Sequence, residues 1–312
     1  MKAFTGVIPA ITVPFHDDFS IDESGLREVA GWLSTHTGIT GILTNGHTGE
    51  IFALSPEERA QVTRIVAATV GPDTAVISGV SSESITEAAE HAQQAEQAGA
   101  SGVLLMPPHY WLRFGMTDEH VLTYYQTVAD AISIPIVCHV YPAYTKAGYS
   151  SALLAKLAKL EKVTTFKVGT RDMSRYDQDI HAIREAAPSA SILTCHDEYV
   201  LPSLVQGVDG ALVGFASLVP ELITELVAVV QKGDLIRAQE LHRVLFELKE
   251  AVYGGGEPSA DAHARMKTAM KLTGRLSSDL MRPPTTSPGE AARERIRTAL
   301  VRAGLISEGA AG

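Results

Sequence analysis

The chain has 312 residues, of which 45% are hydrophobic, 20% charged and 6% aromatic, with a formal net charge of −10. This composition supplies a full core for a globular enzyme, and an acidic balance with no Lys/Arg-rich run argues against nucleic acid or an anionic membrane as partner. Apolar runs such as "ALVGFASLVPELI" are broken by Gly, Ser and Pro and are too short or too polar to span a bilayer, while the two cysteines, Cys138 and Cys195, fit neither a disulfide framework nor zinc-ligand spacing.

The first segment, "MKAFTGVIPAITVPF", reads as a strand and not as an export signal, so a cytoplasmic protein is expected. Short β-type runs then recur: 6–12, 41–44, 75–80, 102–106, 134–140, 163–167, 191–195 and 210–214. Most are apolar without alternation, as parallel strands buried on both faces are. Helical patterns separate them. "SPEERAQVTRIVAATVG" carries Ser55 as N-cap, Pro56 in the first turn and Glu58 three residues after the cap. "SESITEAAEHAQQAEQAGA" is rich in Ala, Glu and Gln and stops at Gly99, and "YSSALLAKLAKL" has a Leu/Ala stripe. Eight βα units predict an α/β fold of the (β/α)8 TIM-barrel class over residues 1–225. A doubly wound sheet is the alternative, weakened by the lack of G-x-G-x-x-G after the first strand. Residues 226–312 predict a C-terminal helical extension packed on the barrel, ending in a frayed "GAAG".

In such a barrel the reacting groups lie at the carboxyl ends of the strands. Those positions hold His47, Thr48, Gly49 and Glu50 in "NGHTGE", His109 and Tyr110 in "PPHYW", His139 and Tyr141 in "CHVYP", Lys167 in "TTFKVGT", and His196, Asp197 and Glu198 in "CHDE". An enclosed lysine loses part of its preference for the ammonium form, and the free amine attacks ketones to give a Schiff base. Position alone weighs this evenly against a strand-end lysine paired with a carboxylate. The hydroxyl and backbone N–H groups around Gly49 suit a carboxylate nest, although an ordinary βα loop explains them as well.

Taken in order, "GILTNGHTGEIFALSPEER", "PPHY" and the lysine of "TTFKVGT" resemble the dihydrodipicolinate synthase/N-acetylneuraminate lyase family over two thirds or more of the chain. The resemblance implies a (β/α)8 barrel, a Schiff base on Lys167 with a 2-oxo acid such as pyruvate, no further cofactor, and a tetramer built as a dimer of dimers. By the same resemblance Thr48 and Gly49 hold the carboxylate, and Tyr110 matches a tyrosine that reaches a neighbouring subunit's site in many members. His47 stands where the family motif G-T-T-G-E has its first Thr. Aligned on Pro142, His139 takes the place of the usual proton-shuttling Tyr of Y-N-x-P, and imidazole suits that task near neutral pH. Tyr141 shares a face with His139 if the strand stays regular. Tyr144 replaces the arginine of the synthase branch, which argues against dihydrodipicolinate synthase proper. Asp197 and Glu198 resemble the polyol-contacting pair of the neuraminate lyase branch, although charge at a helix N-terminus explains them more simply. Arg171 and Arg175 suit either an anionic substrate tail or pairing with Asp172 and Asp177.

The expected function is thus a lysine-dependent lyase of 2-oxo acids: an aldolase, hydratase-aldolase or dehydratase. Lys167 and His139 would be catalytic, and His47, Thr48, Gly49, Tyr110 and Asp197 substrate-binding. Two alternatives stand beside it. One is a divalent-metal enzyme using His47, His109, His139 and His196 with the nearby acids. The other is a barrel that binds an oxo acid without turning it over.

Overall fold

The computed structural model describes residues 1–197, 199–254, 259 and 261–308. Eight parallel strands form the centre: β1 (Gly6–Pro9), β2 (Gly41–Thr44), β3 (Ala75–Val80), β4 (Gly102–Leu105), β5 (Ile136–Val140), β6 (Val163–Val168), β7 (Ser191–Thr194) and β8 (Gly210–Val213). They pair in the order β1-β8-β7-β6-β5-β4-β3-β2. The bridges Val7–Ile39 and Ala10–Leu43 then bring β1 against β2 and close the barrel. The connecting helices are α1 (Glu23–Ser34), α2 (Pro56–Thr69), α3 (Ile85–Gln97), α4 (Tyr110–Phe114), α5 (Asp118–Ala131), α6 (Ser151–Leu157), α7 (Met173–Ala186), α8 (Val200–Val205) and α9 (Pro220–Gln231), and α10 (Leu235–Val252), α11 (Ala262–Leu272) and α12 (Glu290–Arg302) follow. This is the expected TIM barrel. Helix α9 runs unbroken from Pro220 to Gln231 after β8, and α10, α11 and α12 follow it.

Local chemistry accounts for the elements. Ser55 accepts from the Glu58 N–H while the Glu58 carboxylate accepts from the Ser55 N–H, so the capping box read from the sequence starts α2. Gly99 follows α3 at φ +96°, a left-handed stop that glycine adopts without strain.

Strand alternation decides what faces the barrel axis. Ile8, Leu43, Ile77, Leu104, Val137, Leu193 and Leu212 form the inner core, while Ile42, Val103, Cys138, Val140, Phe166 and Val168 belong to the outer layer under the helices. In β6, Phe166 and Val168 are fully buried in that outer layer. Each such burial is worth roughly 1.5–3 kcal/mol, and a one-residue slip would exchange them for Lys167. The register of β6 therefore turns Lys167 inward.

The extension is fastened to the β2–α2 loop by charge. Lys267 of α11, fully buried, donates to Glu50 Oε1 at 2.5 Å and to the Leu280 carbonyl at 2.7 Å. Glu50 also accepts the Arg282 N–H at 3.0 Å, and Arg282 forks onto Glu58 at 2.5 and 2.7 Å. Glu50 is held at φ +55°, an unusual conformation for a non-glycine residue. The two fastenings stabilise that strained backbone.

Candidate active site

The carboxyl ends of the strands open into a cavity of about 340 Å³. Its walls include His47 and Thr48 after β2, His139 on β5, Tyr141 just beyond it, Lys167 on β6 with Gly169 and Arg171 following, Cys195 and Asp197 after β7, and Gly214 after β8. The C-terminal extension completes them with Tyr253, Ser259 and His263.

Lys167 and His139 face each other across the β5–β6 ladder, paired residue to residue. Both therefore project from the same face of the sheet. Burial pushes the Lys167 ammonium below its ordinary range, partly offset by Cys195 and Asp197 and reinforced by Arg171. Burial, then the Lys167 charge, then His47, hold the His139 imidazole well below its usual range, so it is neutral at pH 7. Among the described residues its buried Nδ1 has no hydrogen-bond partner. An orphaned buried nitrogen costs about 1–3 kcal/mol, and the residue that carries it lines the cavity.

His47 is lowered to about 3 by burial and then by Lys167. It is tied to Tyr141: the two share a hydrogen bond of 3.1 Å between Tyr141 Oη and His47 Nε2. Tyr141 thus stands in the cavity beside His139, ring centroids 4.9 Å apart and edge to face, so the strand's alternation persists one step past its end. Burial pushes the Tyr141 phenol up, which keeps it protonated.

Gly214 marks a built recess. A Cβ there would stand 2.7 Å from Tyr253 Oη and 2.8 Å from Thr48 Oγ1, so only glycine leaves room between the two hydroxyls. The Asp197 carboxylate accepts the Phe215 N–H at 2.6 Å, which fixes it at the cavity wall. Arg171 reaches the wall because Lys167, Gly169 and Arg171 continue one alternation.

Other expected positions fall elsewhere. Gly49 does not line the cavity; its N–H donates to the Gly46 carbonyl at 3.1 Å within the loop turn. Tyr110 opens α4 on the outer surface, 45% exposed, its N–H donated to Glu83. Tyr144 is 70% exposed and does not line the cavity. The Arg175 guanidinium bonds the buried Asp179 at 2.8 Å and the Tyr149 carbonyl at 2.7 Å, while its backbone N–H donates to the N-cap Asp172 at 2.8 Å, so it braces α7. Glu198 lies outside the described residues. His196 is fully buried, with Nδ1 2.8 Å from Ser203 Oγ and its ring against Tyr176 and Tyr199. It is turned away from the cavity, so the four histidines do not converge, and among the described residues no three His, Cys, Asp or Glu side chains gather as a metal-binding group.

Sequence reasoning missed Tyr253, Ser259 and His263. His263 is lowered to about 4 by burial, then by Lys167 and Lys267, which sets it near Lys167. No local pattern marks these residues; long-range ion pairs bring them in.

The comparisons agree with this geometry. The family model described as Dihydrodipicolinate synthetase family matches residues 3–303. The chain is 34% identical to the 4-hydroxy-tetrahydrodipicolinate synthase of Methanopyrus kandleri, over 97% of this chain and 98% of that protein. It is 27% identical to the Probable 2-dehydro-3-deoxy-D-pentonate aldolase YjhH of Escherichia coli K12, over 98% and 99%. Among solved structures it superposes with a TM-score of 0.89 on YagE of E. coli K12, determined in complex with pyruvate, at 26% identity over 97% of this chain and 99% of that one. The chain belongs to the dihydrodipicolinate synthetase family of Schiff-base lyases and aldolases of 2-oxo acids.

Proposed function

We propose that the protein is an aldolase-type lyase in which Lys167 forms the Schiff base with a pyruvate-type 2-oxo acid. The observation that carries this is the pairing of a partly desolvated Lys167 with a neutral, unpartnered His139 at one cavity wall. The free amine adds to the C2 carbonyl, and His139 takes and returns the protons that let the carbinolamine lose water. The iminium then withdraws the electron pair of the C3–C4 bond. The substrate's C4 hydroxyl loses its proton to a cavity base, the bond breaks, and an enamine and an aldehyde result. Protonation of the enamine at C3 and hydrolysis of the iminium release the 2-oxo acid.

The substrate carboxylate fits the recess over Gly214, between the Thr48 and Tyr253 hydroxyls, and Gly49 shapes the turn that presents Thr48. The remaining walls, Asp197, Arg171, Ser259 and His263, suit a hydroxylated or otherwise polar distal chain. Tyr144 does not line the cavity and no arginine occupies its position. That supports a substrate other than that of dihydrodipicolinate synthase. Tyr110, Leu112, Phe114 and Tyr144 are exposed on one side, where Lys146 Nζ bonds the Arg113 carbonyl. These side chains support a homo-oligomer, a tetramer as a dimer of dimers, with Tyr110 at a subunit contact. The thiols of Cys138 and Cys195 suit a cytoplasmic enzyme.

Borohydride reduction in the presence of a panel of 2-oxo acids, followed by peptide mass spectrometry, tests the reading. The expected result is a covalent adduct on the Lys167 peptide, absent in Lys167→Ala. Activity lost in chelator, with no adduct from any oxo acid, would sink the Schiff base.

A further inference from the structure

Cleavage of a 4-hydroxy-2-oxo acid needs a base for the C4 hydroxyl. Three imidazoles stand in the cavity wall. His139 serves C2, and His47 shares its Nε2 with Tyr141 at 3.1 Å. The third, His263, belongs to α11 in the C-terminal extension. This helix lays one face on the barrel mouth. Met270 Sδ accepts the Thr12 hydroxyl at 3.5 Å just past β1, and Lys267 bonds Glu50 in the β2–α2 loop. His263 comes one turn before Lys267, and residues four apart on a helix share a face. The contacts of Met270 and Lys267 thus explain why His263 meets the cavity. Lowered to about 4, it is neutral at pH 7 and carries one acceptor nitrogen. The influences on it are burial and the charges of Lys167, Lys267 and Arg265, with no hydrogen bond among them. The barrel interior is filled by Ile8, Leu43, Ile77, Leu104 and Val137, so the aldehyde half of a substrate extends toward the mouth, where α11 lies.

We propose that His263 is the base that takes the C4 hydroxyl proton as the carbon–carbon bond breaks, and that returns it to the aldehyde oxygen in the reverse direction. The proposal rests on the Schiff-base reading above and assigns the base which that reading leaves open. In the iminium the C4 O–H proton passes to the acceptor nitrogen of His263, and the O–H electron pair forms the C4=O bond. The C3–C4 pair becomes the C2=C3 bond of the enamine, and the nitrogen takes back its π pair. The iminium charge vanishes as the imidazolium forms, so the cavity keeps its net charge. The charge on Lys167, which opposes protonation of His263 in the resting protein, is removed in the same step. Once the aldehyde has left, the imidazolium gives its proton to water at the mouth.

Two half-reactions separate this role from the rest of the chemistry. Exchange of the pyruvate methyl protons in D2O, followed by proton NMR, needs Lys167 and no group at C4. Aldol addition of pyruvate to glycolaldehyde, glyceraldehyde or glyoxylate needs the C4 base as well. His263→Gln keeps a hydrogen-bonding group but cannot take a proton. At saturating aldehyde its ratio of addition to exchange is expected to fall about a hundredfold or more, while borohydride with pyruvate still traps the Lys167 adduct. Imidazole added to His263→Gly should restore part of the addition rate. A wild-type ratio, a raised aldehyde KM with kcat preserved, or exchange lost in step with addition would each overturn the assignment and leave the Lys167 adduct standing. Wild-type protein that forms the adduct but adds to none of the aldehydes would overturn the aldolase reading and the role of His263 with it. Wild-type protein that yields no adduct with any 2-oxo acid would overturn the Schiff base itself.

Discussion

Lys267→Met removes the cation that fastens α11 to the β2–α2 loop while keeping an unbranched side chain of similar length. Lys267 is fully buried, bonds Glu50 at 2.5 Å and the Leu280 carbonyl at 2.7 Å, and lies 4.3 Å from the centre of the Phe15 ring. Burial lowers its pKa, with Glu50 the largest opposing influence. Deleting one partner of a buried pair costs about 3–5 kcal/mol, because the other charge is left uncompensated. Glu50 keeps the Arg282 N–H at 3.0 Å, so the lower end, about 3 kcal/mol, is expected here. At a urea slope of about 3 kcal/mol/M this moves the midpoint down by about 1 M. Urea titration at fixed protein concentration measures it. The double variant Glu50→Gln/Lys267→Met removes the stranded carboxylate and should recover about 2 kcal/mol. A loss below about 1 kcal/mol in the single variant, or a double variant no more stable than it, would refute the reasoning.

Three further outcomes are expected. Tyr253→Phe should raise the KM for the 2-oxo acid about tenfold, the worth of one hydrogen bond to a carboxylate, and leave the unfolding midpoint unchanged; an unaltered KM would remove Tyr253 from the recess. Gly214→Ala puts a methyl between Thr48 and Tyr253, and isothermal titration should show pyruvate binding lost; wild-type affinity would mean that the carboxylate sits elsewhere. Finally, His196 is neutral in the fold, lowered by burial to about 3 from an ordinary 6.5. The unfolded chain binds the extra proton, so stability present above pH 6.5 is lost as pH falls through the window from 6.5 toward 3. For this one fully buried ring the loss between pH 7 and pH 5 is about 2 kcal/mol at most. The lowered carboxylates Glu58 and Asp279 lose their contribution as pH falls below their ordinary values of 4.5 and 3.8, outside that interval. Equal urea midpoints at pH 7 and pH 5 would contradict the assignment.

The barrel was legible in the sequence because every signal for it is local. Eight apolar runs, a capping box at Ser55 and a glycine stop at Gly99 each act over a few residues, and each appears where the pattern put it. Lys167 was legible for the same reason, since its neighbours Phe166 and Val168 must face the helices. The wall of the cavity was more legible than the motif reading used. Alternation does not stop where the ladder stops: His139 and Tyr141 share the inner face, and so do Lys167, Gly169 and Arg171. Applied to β7, the same rule starts from inward Leu193 and selects Cys195 and Asp197, while it turns His196 out toward Ser203. The period of two, carried past Thr194, thus separates His196 from the inward-facing histidines. No such rule reaches Tyr253 or His263. They come to the cavity because Lys267 finds Glu50 and Arg282 finds Glu58, pairs separated by more than 200 residues. Sequence periodicity carries no information about which buried lysine meets which buried glutamate. The extension that brings the Tyr253 hydroxyl to the recess over Gly214 therefore reads, from sequence, only as helices that must pack on something.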